Sequence, residues 1–247
     1  MKQRLFLFVV FSIIGISCDP SNVTGIVVGG DFLPLTAGNL WEYRVTVVGG
    51  SGDTTVPVTV TLSSPVTYDS IAWYGVNDYC VQRSISSPVP MYCAAWGRKR
   101  DQILFTQRGP GPARMGYEIV LDLPVWAGKS WFTRPSVDTS YLTAGGDSIV
   151  IKNSSRRIVR GLSTVAVPAG VFVDCVEVFD TTTFIDEYYS ASDSIDSERS
   201  FKATRTTEWF ARNVGLVKQI VETIWTPGAP PWRTETRVLL KSNVKGL

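Results

Sequence analysis

The feature that most constrains this chain is an alternation of apolar and polar residues with a period of two. Trp41, Tyr43, Val45 and Val47 fall on one face of an extended segment, and Glu42, Arg44 and Thr46 on the other. Successive side chains of a β-strand point to opposite sides, so this is the pattern of a strand buried on one face. The next run repeats it, setting Val56, Val58, Val60 and Leu62 against Thr55, Thr59 and Thr61. Gly49-Gly50-Ser51-Gly52-Asp53 between the two runs supplies turn residues, so together they read as a hairpin. Strand-like runs continue at 66–74, 79–83, 91–96, 102–107, 117–123, 148–151, 157–167, 172–184, 201–210, 215–225 and 234–241. No segment of ten or more residues carries a 3.6-residue period, and Thr and Val stand where helix formers would be needed. The expectation is an all-β chain: a single large antiparallel twisted sheet curled into a half-barrel, barrel or sandwich. The stretch 108–112 reads as a loop inside one domain, and 186–199 as a long hairpin tip.

The N-terminus reads as an address and not as part of the fold. Lys2 and Arg4 precede the apolar run Leu5 to Ile16, which as a helix is about 18 Å long, short of a hydrocarbon core of roughly 30 Å. That is the form of a secretory signal. Gly15-Ile16-Ser17-Cys18 resembles a bacterial lipobox, which implies that Cys18 is acylated and becomes the mature N-terminus. Residues 1–17 are therefore expected to be a lipoprotein signal peptide, 18–31 the lipidated Cys18 with a flexible tether, and 32–247 a single β-rich domain. Two or three acyl chains, at about 0.8 kcal/mol per buried CH₂, anchor a protein to a bilayer without a spanning segment. The expected location is the bacterial cell envelope, facing periplasm or exterior, with the membrane contacted through the N-terminal lipid.

Composition removes several classes of function. Of 24 Lys and Arg, Lys2 and Arg4 fall in the signal, which leaves 22 against 22 Asp and Glu. A nucleic-acid partner is not expected from a chain with no basic excess. There is no histidine, which excludes Ser-His-Asp and Cys-His hydrolases and metal sites that need imidazole. No cofactor and no metal site is expected. Cys80 and Cys93 lie on neighbouring strand-like runs and form the candidate disulfide, while Cys175 reads as a buried, unreactive thiol.

One internal repeat is specific. Leu33-Pro34-Leu35-Thr36-Ala37-Gly38-Asn39-Leu40-Trp41 recurs 90 residues later as Leu123-Pro124-Val125-Trp126-Ala127-Gly128-Lys129-Ser130-Trp131, with five identities in nine positions. Its physical reading is a Pro and Gly turn that delivers a Trp into the core at the start of a strand. The functional reading makes Trp41, Trp126, Trp131 and Trp209 aromatics of a ligand face. The first copy extends to Pro34-Leu35-x-x-Gly38-x-x-Trp41-x-Tyr43, and the chain also carries Gly128-x-x-Trp131, Val167-Pro168-Ala169-Gly170-x-Phe172 and Trp209 to Lys218 with Val214-Gly215-x-Val217-Lys218. In these segments it resembles bacterial secreted lipoproteins of unassigned function. The resemblance implies a single β-rich envelope domain whose glycines make tight turns, and it implies no chemistry.

Two weaker clusters complete the candidates. Asp186, Glu187, Asp193, Asp196 and Glu198 form the densest acidic patch, and Arg98-Lys99-Arg100 and Arg156-Arg157 with Arg160 are short basic runs of the kind that occupies turns and edge strands. The function expected is a non-catalytic binding or structural module of the envelope, taking an apolar ligand, a glycan or a partner protein. The alternative is a carboxylate-dependent hydrolase acting on envelope glycans.

Overall fold

The computed structural model describes residues 30–50, 52–68, 70–76, 94–106, 117–133, 137–142, 148–189, 197–225 and 229–245. All regular structure among them is β-strand, in thirteen antiparallel-paired strands of one sheet. The first group is β1 (Leu40–Gly49), β2 (Thr54–Tyr68), β3 (Ile71–Val76), β4 (Ala95–Lys99), β5 (Gln102–Thr106) and β6 (Glu118–Asp122). The second is β7 (Ser130–Phe132), β8 (Val137–Leu142), β9 (Ser148–Val167), β10 (Gly170–Tyr189), β11 (Ser197–Ala211), β12 (Gly215–Ile224) and β13 (Arg233–Asn243). The order across the sheet is β6-β5-β4-β3-β2-β1-β13-β12-β11-β10-β9-β7, with β8 paired to β9.

The sheet curls until its two ends meet. Ile119 N–H donates to Thr133 O at 3.0 Å, and the Trp131 indole N–H donates to Ile119 O at 3.0 Å, so β6 and the end of β7 all but close a barrel.

Two expectations need correction. The run 66–74 is not one strand: the chain reverses, so that Tyr68 pairs with Ile71 and Ser70 takes a positive φ of 59°. Apolar alternation on both sides of a tight turn hides the turn. The run 186–199 is strand at both its ends, because β10 and β11 stay paired out to Tyr189 opposite Ser197, beyond the point where apolar alternation fades; residues 190–196 lie outside the described residues.

The repeat builds two corners with the same bonds. Gly38 N–H donates to Leu62 O (2.7 Å) and Leu62 N–H returns to Asn39 O (3.0 Å); Gly128 N–H donates to Val159 O (2.8 Å) and Val159 N–H returns to Lys129 O (2.9 Å). Both glycines lie in the left-handed region, at φ 80° and 85°, where a side chain is strained. The residue after each glycine donates from its side chain to the corner proline: Asn39 Nδ2 to Pro34 O at 2.8 Å and Lys129 Nζ to Pro124 O at 2.9 Å. Each corner then delivers its tryptophan inward, Trp41 at 2% and Trp131 at 8% exposure.

The motif segments near the two termini pack on one another. The Trp41 indole N–H donates to Val214 O (2.6 Å) and the Tyr43 hydroxyl to Leu216 O (2.9 Å). Gly215 has φ 103°, and a Cβ there would sit 3.2 Å from Leu33 and 3.4 Å from the Trp41 indole nitrogen. Around these contacts Phe32, Leu33, Val159, Val176, Val178 and Phe210 form one buried cluster, and Trp41, Tyr43, Leu62, Val217 and Leu239 another.

Candidate functional site

The inward positions of three neighbouring strands change character along their length. On β9, Val159 gives way to Arg157 and Ser155; on β10, Val176 and Val178 give way to Asp180 and Thr182; on β11, Phe210 gives way to Glu208, Thr206 and Thr204. Strand register places Arg157 opposite Asp180, Val178 opposite Glu208, and Gln219 of β12 opposite both Glu208 and Arg237 of β13. A belt of polar side chains therefore crosses five adjacent strands inside the barrel.

Arg157 is the centre of the belt. It is 7% exposed, and its Nε donates to Asp180 Oδ2 (2.9 Å) while its Nη1 donates to Glu208 Oε2 (2.7 Å) and to Val120 O (2.9 Å). Asp180 also accepts from the Ser155 and Thr182 hydroxyls, and Glu208 Oε1 accepts from Gln219 Nε2 at 2.7 Å. Charges taken out of water survive only when paired and hydrogen-bonded, and here each member is.

Beside the belt lies a cavity of about 720 Å³. The belt, with Thr182, Thr204 and Thr206, forms one wall. The facing wall is apolar, from Leu33 and Leu35 of the first corner, Trp41 and Tyr43 of β1, Val60 and Leu62 of β2, Val76 of β3, Trp96 of β4 and Phe105 of β5. The volume falls within the roughly 300–1,000 Å³ of small-molecule sites. The two walls suit a molecule with an apolar body and a polar end.

Of the four tryptophans expected on a ligand face, only Trp41 lines this cavity. Trp131 is packed in the core and bonded to Ile119 O. Trp126 flanks a separate cleft of about 190 Å³ and lies beneath Lys129 Nζ at 4.7 Å. Trp209 donates to Glu177 at 3.2 Å and lies beneath Lys218 Nζ at 5.0 Å. Cys18, Cys80 and Cys93 lie outside the described residues. Asp193 and Asp196 do as well, and the strand residues Asp186, Glu187 and Glu198 are described in backbone only. Among the described residues no group of acidic and cysteine side chains is placed to hold a metal ion.

The basic run at 156–160 resolves into three environments. Arg156 bonds Ser130 at the exposed face, Arg160 lies over the Phe179 ring at 3.8 Å, and Arg157 enters the barrel. Sequence reasoning placed this run on turns or edge strands; it stands in β9, which has neighbours on both sides. The overlooked signal was phase: Asp180 continues the alternation of Val176 and Val178, and Arg157 and Glu208 stand two residues from the buried Val159 and Phe210.

Two buried groups respond to pH. Burial raises the Tyr43 phenol well above its ordinary range, opposed by the nearby Arg237 and aided by Glu208. Burial likewise pushes the buried Cys175 thiol up to about 11, opposed by a backbone hydrogen bond from Val165 and aided by Asp174. The folded chain holds both protons more tightly than the unfolded chain, so their contribution is complete below the unfolded values of 9.0 and 10.0 and declines as pH rises past them. Urea midpoints should fall between pH about 8.5 and 10.5, and Cys175→Ala should flatten the first part of that fall. An unchanged slope in the variant would assign the decline to other groups.

No protein-family model matches the chain, and a search of curated proteins finds no match. Two solved structures are similar to it: a protein described as a lipoprotein from Parabacteroides distasonis, at 13% identity, and a protein described as exported with a YmcC-like fold from Bacteroides fragilis, at 11% identity. Each is matched over 100% of its length and 87% of this chain, with a TM-score of 0.36. Likeness of that degree carries neither fold nor function across to this chain.

Proposed function

We propose that the chain is a lipid-anchored module of the bacterial cell envelope that holds a small amphipathic molecule inside its barrel and performs no reaction on it. The observation that carries this reading is the cavity of about 720 Å³ with one apolar and one hydrogen-bonding wall. The lipobox-like segment ending at Cys18 supports anchoring, with residues 18–31 as tether and 32–247 as the binding domain. The carboxylates beside the cavity argue against hydrolysis. Asp180 and Glu208, two of the three carboxylates on its lining, share one guanidinium and accept from further donors, which commits both to holding the belt.

The test uses the mature chain, residues 18–247, with Cys18→Ser to remove the acyl anchor. An uncharged fluorescent probe such as N-phenyl-1-naphthylamine is expected to bind with a saturable rise in emission. Val60 is half-buried on the apolar wall, and Val60→Trp fills the space opposite the belt. It should weaken probe binding at least about tenfold, a loss near 1.4 kcal/mol, with the urea midpoint little changed. Undiminished binding by the stably folded variant would remove the cavity as the site.

A further inference from the structure

Two guanidinium groups face the cavity, and their hydrogen bonding differs. Arg157 donates to two carboxylates and a backbone carbonyl. The Arg237 side chain makes no hydrogen bond to a described residue: its Nε is buried without a partner, its Nη2 forms only a loose ion pair with the Glu235 carboxylate at 3.7 Å, and its guanidinium carbon lies 5.7 Å from the centre of the Tyr43 ring. Buried donors in folded proteins are almost always met by an acceptor, so a cavity-facing guanidinium in this state needs explanation. The cavity's other charged groups are engaged. Asp180 and Glu208 are bonded as described, and Glu118 also has a partner.

We infer that Arg237 receives the anionic head of the bound molecule, and that the cargo is a monoanionic amphiphile, a long-chain carboxylate. This rests on the carriage reading above and specifies its ligand. A guanidinium presents parallel N–H donors that match the two oxygens of a carboxylate. From Arg237 on β13, across the Tyr43 ring, the apolar wall of Val60, Leu62, Trp96 and Phe105 offers a path for the chain. A dianionic head is disfavoured, because Arg157 with Asp180 and Glu208 carries one net negative charge, Glu118 adds another carboxylate to the lining, and Arg237 supplies a single positive charge that Glu235 already meets at 3.7 Å. A neutral head would not offer the two oxygens that match the parallel N–H donors of Arg237.

The experiment displaces the naphthylamine probe from the Cys18→Ser mature chain at about pH 8, using dodecanoic acid and dodecan-1-ol. The acid should compete roughly 10- to 100-fold better than the alcohol, the range expected for hydrogen bonds to a charged group. Arg237→Gln should erase that preference while leaving the alcohol's affinity and the urea midpoint in place, and Arg237→Lys should keep part of it. Equal competition by acid and alcohol in the wild type would overturn the anionic head and leave carriage standing. Parallel weakening of both by Arg237→Gln would overturn it too, by making the arginine a packing residue. Failure of the probe itself to bind would overturn carriage and this inference together.

Discussion

Arg157→Met is expected to lower unfolding stability by about 3–5 kcal/mol, because it strands Asp180 and Glu208 as buried carboxylates without their shared cation. For a domain of this size each kcal/mol corresponds to about 2–4 °C in melting temperature, so the drop is on the order of 10 °C, measured by urea and thermal denaturation at pH about 7.5. The loss is a penalty of leaving charges unpaired, not a measure of what the belt contributes. Replacing all three charges, with Arg157→Met, Asp180→Leu and Glu208→Met together, should therefore recover much of it. If the single variant stays within about 1 kcal/mol of wild type, water reaches the carboxylates freely and the belt is not a network closed to solvent.

Trp41→Ala comes next, at about 3–5 kcal/mol. The indole is 2% exposed, and its loss removes apolar burial at the first corner and strands the Val214 carbonyl. Trp41→Phe should restore most of the burial and miss the hydrogen bond, leaving a deficit of about 1–2 kcal/mol. Trp131→Ala, at the matching corner, should destabilise comparably. The two differ in ligand binding, since Trp41 lines the cavity and Trp131 does not. Probe affinity measured at a temperature where both variants remain folded should change for Trp41→Ala alone. Equal changes would mean that probe affinity follows general loosening and not the cavity wall.

The comparison of sequence with structure divides along a physical line. Alternation is local, so the strands were legible wherever six or more residues kept the period, as in β1 and β2. The repeat was legible because Pro, Gly and Trp act within nine residues, and both copies do form Trp-delivering corners. The turn at Ser70 was missed because alternation persists on both sides of it. The belt was missed for a different reason: Arg157 meets Asp180 and Glu208 across sequence gaps of 23 and 51 residues. Only cross-strand register brings them together, and no local pattern reports register. Aromatics alone were a poor guide to the cavity, since Trp126 and Trp209 are held by Lys129, Lys218 and Glu177, while Trp96 and Phe105 line it unannounced.

The pairing of β1 with β13 governs when this molecule can become complete. The strands β2 to β6 build outward from β1, and β12 to β9 build outward from β13, each mostly by hairpins between chain neighbours. The apolar wall belongs to the first wing and the charged belt to the second. Their one strand-to-strand ladder is where Leu40 to Gly49 meets Arg233 to Asn243, a contact that spans most of the chain, while at the far edge β6 is held by single bonds to Thr133, Trp131 and Arg157. Contacts of such separation are slow to form because so much chain must be closed into one loop. As the chain emerges N-terminus first, the first wing must wait with its apolar face uncovered until the final strand has followed. The step most exposed to aggregation, and most in need of a chaperone, is therefore the docking of the last strand onto the first.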